Sequence, residues 1–196
     1  MENESNTSCV TMTLDDFLKL KAVVLFIVNE CKAIDYFRIF KILYFADKKH
    51  YADYGRRIVN DSFYALRNGP VPSALYDAIK IATGKKSKPS NSFLTLISDA
   101  LSYDNDYDYI ITANEQPDMD ELSKSDIEYL TASIKENKDV SYIELSNKSH
   151  DSAWQEAWGK EVKLIDDLSM AKAAGANEAT IEYIQEHKRI DLLLNA

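Results

Sequence analysis

Three side chains able to ligate a metal recur every third residue in one segment: Asp47, His50 and Asp53. Zinc takes imidazole nitrogen and carboxylate oxygen, so the run invites a metal reading. Positions i, i+3 and i+6 drift around a helix, however, whereas a closed site needs three or four ligands on converging faces with outer partners to orient them. The run is therefore read as structural, with Asp47 pairing an arginine such as Arg67 or capping a loop. Asp104, Asp106, Asp108 and Glu115 fall at positions 1, 3, 5 and 12 of a calcium-loop pattern. Tyr109 stands where that pattern needs glycine for a sharp turn, and a strand runs through the segment, so an acidic solvated turn is the better account. Cys9 lies in a polar tail, Cys31 lies at a helix end without a local partner, and no Gly-x-Ser-x-Gly elbow occurs. Phosphate-cradling glycine loops are absent, and His50, His150 and His187 form neither His-Glu-x-x-His nor a set with zinc-ligand cysteines. A non-enzyme is expected, with no catalytic residue, metal or cofactor.

The elements that hold these residues read as mainly helical. Thr13 and Asp16 form a capping pair ahead of a helix over residues 14–30, whose middle is apolar on every side; that predicts the central element on which the others pack. Asp35 caps a second helix, Tyr36 to Tyr54, which Gly55 stops. Phe40, Leu43, Tyr44, Asp47, His50, Tyr51 and Tyr54 share one face of it at three- and four-residue intervals, a face too polar for plain core. Phe63 to Leu66 reads as a short strand ending at the turn pair Asn68-Gly69. The tetrad Gly69-Pro70-Val71-Pro72 then reads as a rigid hinge, with Pro72 at the first position of a helix carrying Leu75, Tyr76, Ala78, Ile79 and Ala82. Gly84 to Ser92 is a basic solvated loop, Phe93 to Ile97 is ambiguous, and Tyr107 to Thr112 predicts a second strand pairing with the first. Ser123 with Asp126, Asp139, Asp151 or Ser152, Asp166 and Asn177 start the remaining helices, with stops at Gly159 and Gly175. No internal repeat occurs. The predicted fold is mainly α with a small β-hairpin or a two- or three-stranded sheet (α+β): a disordered tail over residues 1–12, then a single compact domain over 13–196 in which 161–196 is a C-terminal helical extension.

Composition narrows the function classes. With 196 residues, 45% hydrophobic and 28% charged, and only 5 glycines and 4 prolines, neither a disordered nor a collagen-like chain is supported. A formal charge of -9 argues against a phosphate-binding surface, because nonspecific nucleic-acid affinity comes from lysines and arginines that displace counterions. Arg56, Arg57, Arg67 and the lysines of the 85–88 loop could gather into one basic patch near the small sheet, although a scatter of solvated charges is preferred. Two cysteines do not make a disulfide framework, and the compartment is read as reducing. The longest apolar run, Ala22 to Val28, is far short of the ~20 residues that span a bilayer, and Met1 to Ser8 lacks the basic and apolar parts of a secretory signal. A soluble cytoplasmic protein is expected. Asp191 to Ala196 reads either as a helix end packing on the core or as a protease-recognised tail.

The order Lys41-Ile42-Leu43-Tyr44-Phe45-Ala46-Asp47, then Tyr64-Ala65-Leu66-Arg67-Asn68-Gly69-Pro70-Val71-Pro72, then Leu145-Ser146 and Ser149-His150-Asp151-Ser152-Ala153-Trp154 resembles the Panacea domain family, the SocA-like antitoxin domains of bacterial and phage type II toxin–antitoxin pairs. The resemblance implies a cytoplasmic antitoxin that binds a cognate protein toxin and holds it inactive or delivers it to an ATP-dependent protease, without membrane or nucleic-acid binding. Tyr44, Asp47, Tyr51, Arg67 and Val71 are the expected partner contacts, since aromatics and arginine dominate interface hot spots. The motif residues Gly69, Pro70, Pro72, His150 and Trp154 are expected to be structural, with Trp154 and Trp158 burying apolar area and His150 capping or bonding a neighbouring loop. Two other readings are a phage-associated regulatory or DNA-associated protein, with the small sheet as a wing, and a hydrolase using His150 and carboxylates.

Overall fold

The computed structural model describes residues 12–103, 106 and 109–194. The readings placed on the N-terminal tail, on Cys9, and on Asp104 and Asp108 lie outside the described residues. Helix α1 (Leu14–Cys31) starts at the expected capping box, Thr13 N donating to Asp16 Oδ2 at 2.7 Å and Asp16 N to Thr13 Oγ1 at 3.3 Å. Every residue from Ala22 to Val28 is buried. Strand β1 (Ile34–Asp35) leads into α2 (Tyr36–Tyr54), capped by Asp35 and closed by Gly55 at φ +66°, as the spacing predicts. The hairpin β2 (Phe63–Leu66) and β3 (Gly69–Pro72) precedes α3 (Ser73–Ala82) and α4 (Leu94–Ser98). Strands β4 (Leu101–Tyr103) and β5 (Ile110–Ala113) follow, then α5 (Lys124–Asn137), α6 (Tyr142–Ser149), α7 (Ser152–Trp158), α8 (Asp167–Ala173) and α9 (Glu178–Leu194). The architecture is one α+β domain of nine α-helices among the described residues with two small antiparallel sheets. Among the described residues no helix is long and apolar enough to cross a membrane.

The centre is α2 rather than α1. It contacts α1, α5, α6, α8, α9 and β3, whereas α1 is covered mainly by α4, β5 and α2. An all-apolar helix needs only greasy neighbours, but each polar group of α2 must find its own partner, and that draws in elements from the whole later chain. Ser133 Oγ of α5 donates to Ile42 O at 2.8 Å, and Tyr44 and Lys48 both bond Asp151, the N-cap of α7.

Strand pairing corrects two further expectations. Gly69-Pro70-Val71-Pro72 is no bare hinge; it is β3, in register with β2 from Phe63↔Pro72 to Leu66↔Gly69. The missing proline donors are tolerated because β3 is an edge strand. The far edge of β2 is taken by residues 163–165, with Ala65 N donating to Lys163 O at 2.8 Å and Ile165 N to Phe63 O at 2.9 Å. The Tyr107–Thr112 segment supplies β5, which pairs with β1 and β4 in the order β1-β5-β4 and not with Phe63–Leu66. Pro72 sits one position early, at the N-cap of α3. There Asp61 does the capping from a distance, accepting from Ala74 N at 2.9 Å and Leu75 N at 3.0 Å. The helix expected from Asp139 starts after Ser141, the actual N-cap of α6.

The end of α9 stands clear of the core. Tyr183 covers Gly55 and Ile184 is buried, both in the first half of the helix, whereas Leu192, Leu193 and Leu194 are at least 69% exposed. The reading of this end as packed on the core is thus corrected.

Candidate functional site

The three motif segments, far apart in sequence, meet beneath the β2–β3 hairpin. Gly69 has φ +103°, and a Cβ there would collide with Ser149 Oγ and lie 2.8 Å from Lys41 Nζ, so glycine is demanded by both conformation and space. Lys41 Nζ donates to Pro70 O at 2.8 Å, and Trp154 Nε1 donates to Leu66 O at 2.9 Å. His150 stacks on Trp154 with centroids 3.8 Å apart, and Trp154 stacks on Trp158 at 5.1 Å. Gly69, Pro70, His150 and Trp154 therefore hold the hairpin down, and Pro72 closes its register against Phe63. Trp154 is buried as expected; Trp158 is exposed and carries Lys163 over its face at 4.1 Å.

Lys41 is the unusual group. Its side chain is wholly buried, and burial brings its pKa down from 10.5 to about 7. Phe37 receives it in a cation–π contact of 4.9 Å. His150, next to it, is pushed down by burial and by the Lys41 charge, against the bond to the Arg67 backbone, and its Nε2 is buried without a partner. The signal for Lys41 in sequence is slight: a lysine flanked by Phe40 and Ile42 in an apolar run.

On the outer side of the hairpin a cleft of ≈ 620 Å³ opens. Aromatic rings of Tyr36, Phe37, Phe40, Tyr76, Tyr109 and Tyr142 line it, together with Leu66, Val71, Arg38, Lys41 and Arg67. Phe37 and Tyr142 lie 4.2 Å apart, and Phe40 meets Tyr76 edge-on at 5.9 Å. Leu66, Tyr109 and Tyr142 are exposed at the rim. Arg38 is turned inward along the wall, paired with Asp35 and donating to Val140 O at 2.8 Å.

Of the five expected contact residues, two border this cleft and three do not. Arg67 and Val71 line it. Tyr44 and Asp47 are 0% exposed and Tyr51 is 6% exposed, so all three belong to the interior of this fold rather than to its surface. Asp47 pairs with Arg57, not Arg67: Arg57 Nε donates to Asp47 Oδ2 at 2.6 Å, and Ile58 N donates to Asp47 Oδ1 at 2.6 Å. Arg57 also reaches Asp167 of α8 at 2.6 Å. Burial pushes Asp47 up, opposed by Arg57 and the Ile58 N–H; two N–H donors on its two oxygens are the partners of a carboxylate. The Tyr44 hydroxyl is pushed well up by burial and by Asp151, so it stays a donor.

The metal-like run on α2 is also accounted for by partners. His50 Nδ1 faces Arg56 O at 2.9 Å and must donate there, while Nε2 faces Ser125 Oγ at 3.0 Å. Asp53 takes Lys49 and the Tyr129 hydroxyl. Among the described residues no group of three or more His, Cys, Asp or Glu side chains could hold a metal ion. The cations are spread, as the preferred reading has it: Arg57 is engaged by Asp47 and Asp167, Arg56 by Ser123 and Asp126, and Lys86 by Asp77, while Arg67 lines the cleft. Chemically, the cleft is a preformed aromatic and cationic recess on rigid elements, suited to binding.

No curated protein and no solved structure matches the chain. Residues 39–155, which run from the cleft wall on α2 through the hairpin to the Trp154 stack beneath it, match the family described as antitoxin SocA-like, Panacea domain, and the chain belongs to that family.

Proposed function

We propose that this chain is an antitoxin: a cytoplasmic, non-catalytic domain that neutralises a cognate protein toxin by binding it at the cleft between α2, the β2–β3 hairpin and Tyr142. The observation that carries the proposal is the convergence of all three family motifs on one task, bracing the hairpin whose outer side is an aromatic recess. Rings on a fixed backbone lose little entropy when a partner covers them, so an exposed, preorganised set of tyrosines with an arginine has the composition of a hot spot. Delivery of the bound toxin to an ATP-dependent protease is a compatible second step, and the exposed apolar end of α9 is the segment available for it.

The test is co-expression. A neighbouring reading frame whose product arrests growth alone should become harmless in the presence of this chain, and the two should co-purify. Growth arrest that persists despite abundant folded protein would count against the reading.

A further inference from the structure

The tip of the β2–β3 hairpin is held by side chains more than by strands. The pairing with residues 163–165 reaches β2 at Phe63 and Ala65, short of the tip, and Pro70 and Pro72 bring no N–H to β3. Leu66, Arg67 and Asn68 are exposed on the outer side. From beneath, three side chains grip the backbone of the tip. Trp154 Nε1 donates to Leu66 O at 2.9 Å, Lys41 Nζ donates to Pro70 O at 2.8 Å, and His150 bonds the backbone of Arg67. His150 and Trp154 form one stack at 3.8 Å, so a displaced imidazole disturbs the indole as well.

Two of the three grips titrate. His150 Nε2 is buried without a partner, so a second ring proton would set a charged N–H where nothing accepts it. Lys41 takes up its proton near pH 7, and its charge then opposes one on His150, which burial already holds below the usual 6.5. Asp151, the N-cap of α7, favours the imidazolium, but it also accepts from Tyr44 and from Lys48 of α2. The other charges on the elements packed around the tip have partners of their own. Arg38 of α2 pairs with Asp35, Lys86 with Asp77 of α3, Lys148 of α6 with Asn137 at 2.7 Å, and Lys163 lies over the Trp158 ring. Lys80 of α3 lies over Tyr76, and Arg67 is on the tip itself.

We propose that the hairpin tip is a proton-operated latch: a proton taken up by His150 beside the Lys41 ammonium turns the imidazolium toward solvent, releases Arg67 and Leu66, and reshapes the cleft wall that the tip forms. His150 is only half-buried, so that path is open to it. The unfolded chain binds both protons more readily than this floor does, so the latch is closed above pH 7 and opens as the pH falls toward about 5.

The experiment titrates isotope-labelled full chain from about pH 8 to about pH 5 at fixed salt, followed by amide, indole and imidazole signals. The amides of Leu66–Gly69 and Val71 and the Trp154 indole N–H are expected to move together below pH 7, in step with the His150 ring protons, while the amides of α1 stay fixed. His150→Phe keeps a ring on the stack with no proton to gain, and its tip should hold still across the range. Lys41→Met removes the opposing charge, so His150 should titrate higher, closer to 6.5. If Lys41→Met does not fold, the wild-type and His150→Phe titrations still decide. Tip amides that stay fixed in the wild-type chain, that move equally in His150→Phe, or that move only together with the whole fold would each overturn the latch. A His150 titration unchanged in folded Lys41→Met would overturn it too.

Discussion

The two halves of α2 carry the same kinds of residue and meet opposite fates. From Tyr36 to Lys41 the helix contributes tyrosine, phenylalanine, arginine and lysine to an open cleft; from Tyr44 to Tyr51 it contributes tyrosine, aspartate and histidine to the interior. The difference lies in what later segments bring. The second half is sealed by Arg57, Ser125 and Asp151, each of which answers a specific polar group on the helix, with Asp167 holding Arg57 from its other side. The first half is flanked by the hairpin turn, whose strands lean on Lys41 and Trp154 and leave the outer rings uncovered. An aromatic helix face is therefore no evidence of a docking surface until the chain that could cover it has been followed.

The sharpest way to break this division is to attack the sealed half. Asp47→Ala takes away one of the two carboxylates on Arg57 and leaves the buried Ile58 N–H without its acceptor, and should cost about 3 kcal/mol in chemical denaturation; an unchanged midpoint would mean that the half is not sealed. Trp154→Ala, beneath the hairpin, should cost about 3–5 kcal/mol. Its exposed stacking neighbour Trp158→Ala should cost about 1 kcal/mol, so the ratio of the two measures how much of the ring stack is core. Gly69→Ala, at positive φ and against Ser149 and Lys41, should cost about 1–3 kcal/mol and loosen the hairpin amides in hydrogen exchange.

Lys41 gives a pH signature. The unfolded chain holds its lysine proton up to about 10.5, whereas the folded chain releases it near 7. Between those values the unfolded state binds more protons, so stability rises with pH, by at most ~1.4 kcal/mol per pH unit, and the cost of burying the charge is fully present below pH 7. Cys31, pushed up by burial from 9.0, opposes the trend as pH approaches 9, and Tyr44 and Tyr51, also pushed up by burial, do so near pH 10, so urea titrations between pH 7 and 8 read the Lys41 slope best. Lys41→Met should flatten that rise; a slope that survives the substitution would assign it to other groups. The smallest stability effect is expected at Arg67→Glu, within about 0.5 kcal/mol, because its side chain is exposed on the turn.

Local signals were legible in sequence and long-range ones were not. Thr13, Asp35, Ser123 and Asn177 all cap the helices assigned to them, because a cap and its target lie three residues apart. Gly55 and Gly175 both adopt positive φ at helix ends. The proline tetrad misled because loss of ladder donors argues against a strand only where both edges must pair, and β3 has one free edge. Asp47 was assigned an arginine by type, and the choice between Arg57 and Arg67 depends on how the chain turns after Gly55. For the site, Arg67 and Val71 were found from their place in the motif, whereas Tyr36, Phe37, Tyr109 and Tyr142 come together only through the β1–β5 pairing and the placement of α6.

Hydrogen–deuterium exchange on the chain alone and on its co-purified complex with the growth-arresting partner tests the central claim most directly. Docking in the cleft predicts new protection across the Leu66–Val71 turn and around Tyr142, with α8 unchanged. Protection confined to the end of α9 or to any surface away from the hairpin would contradict it.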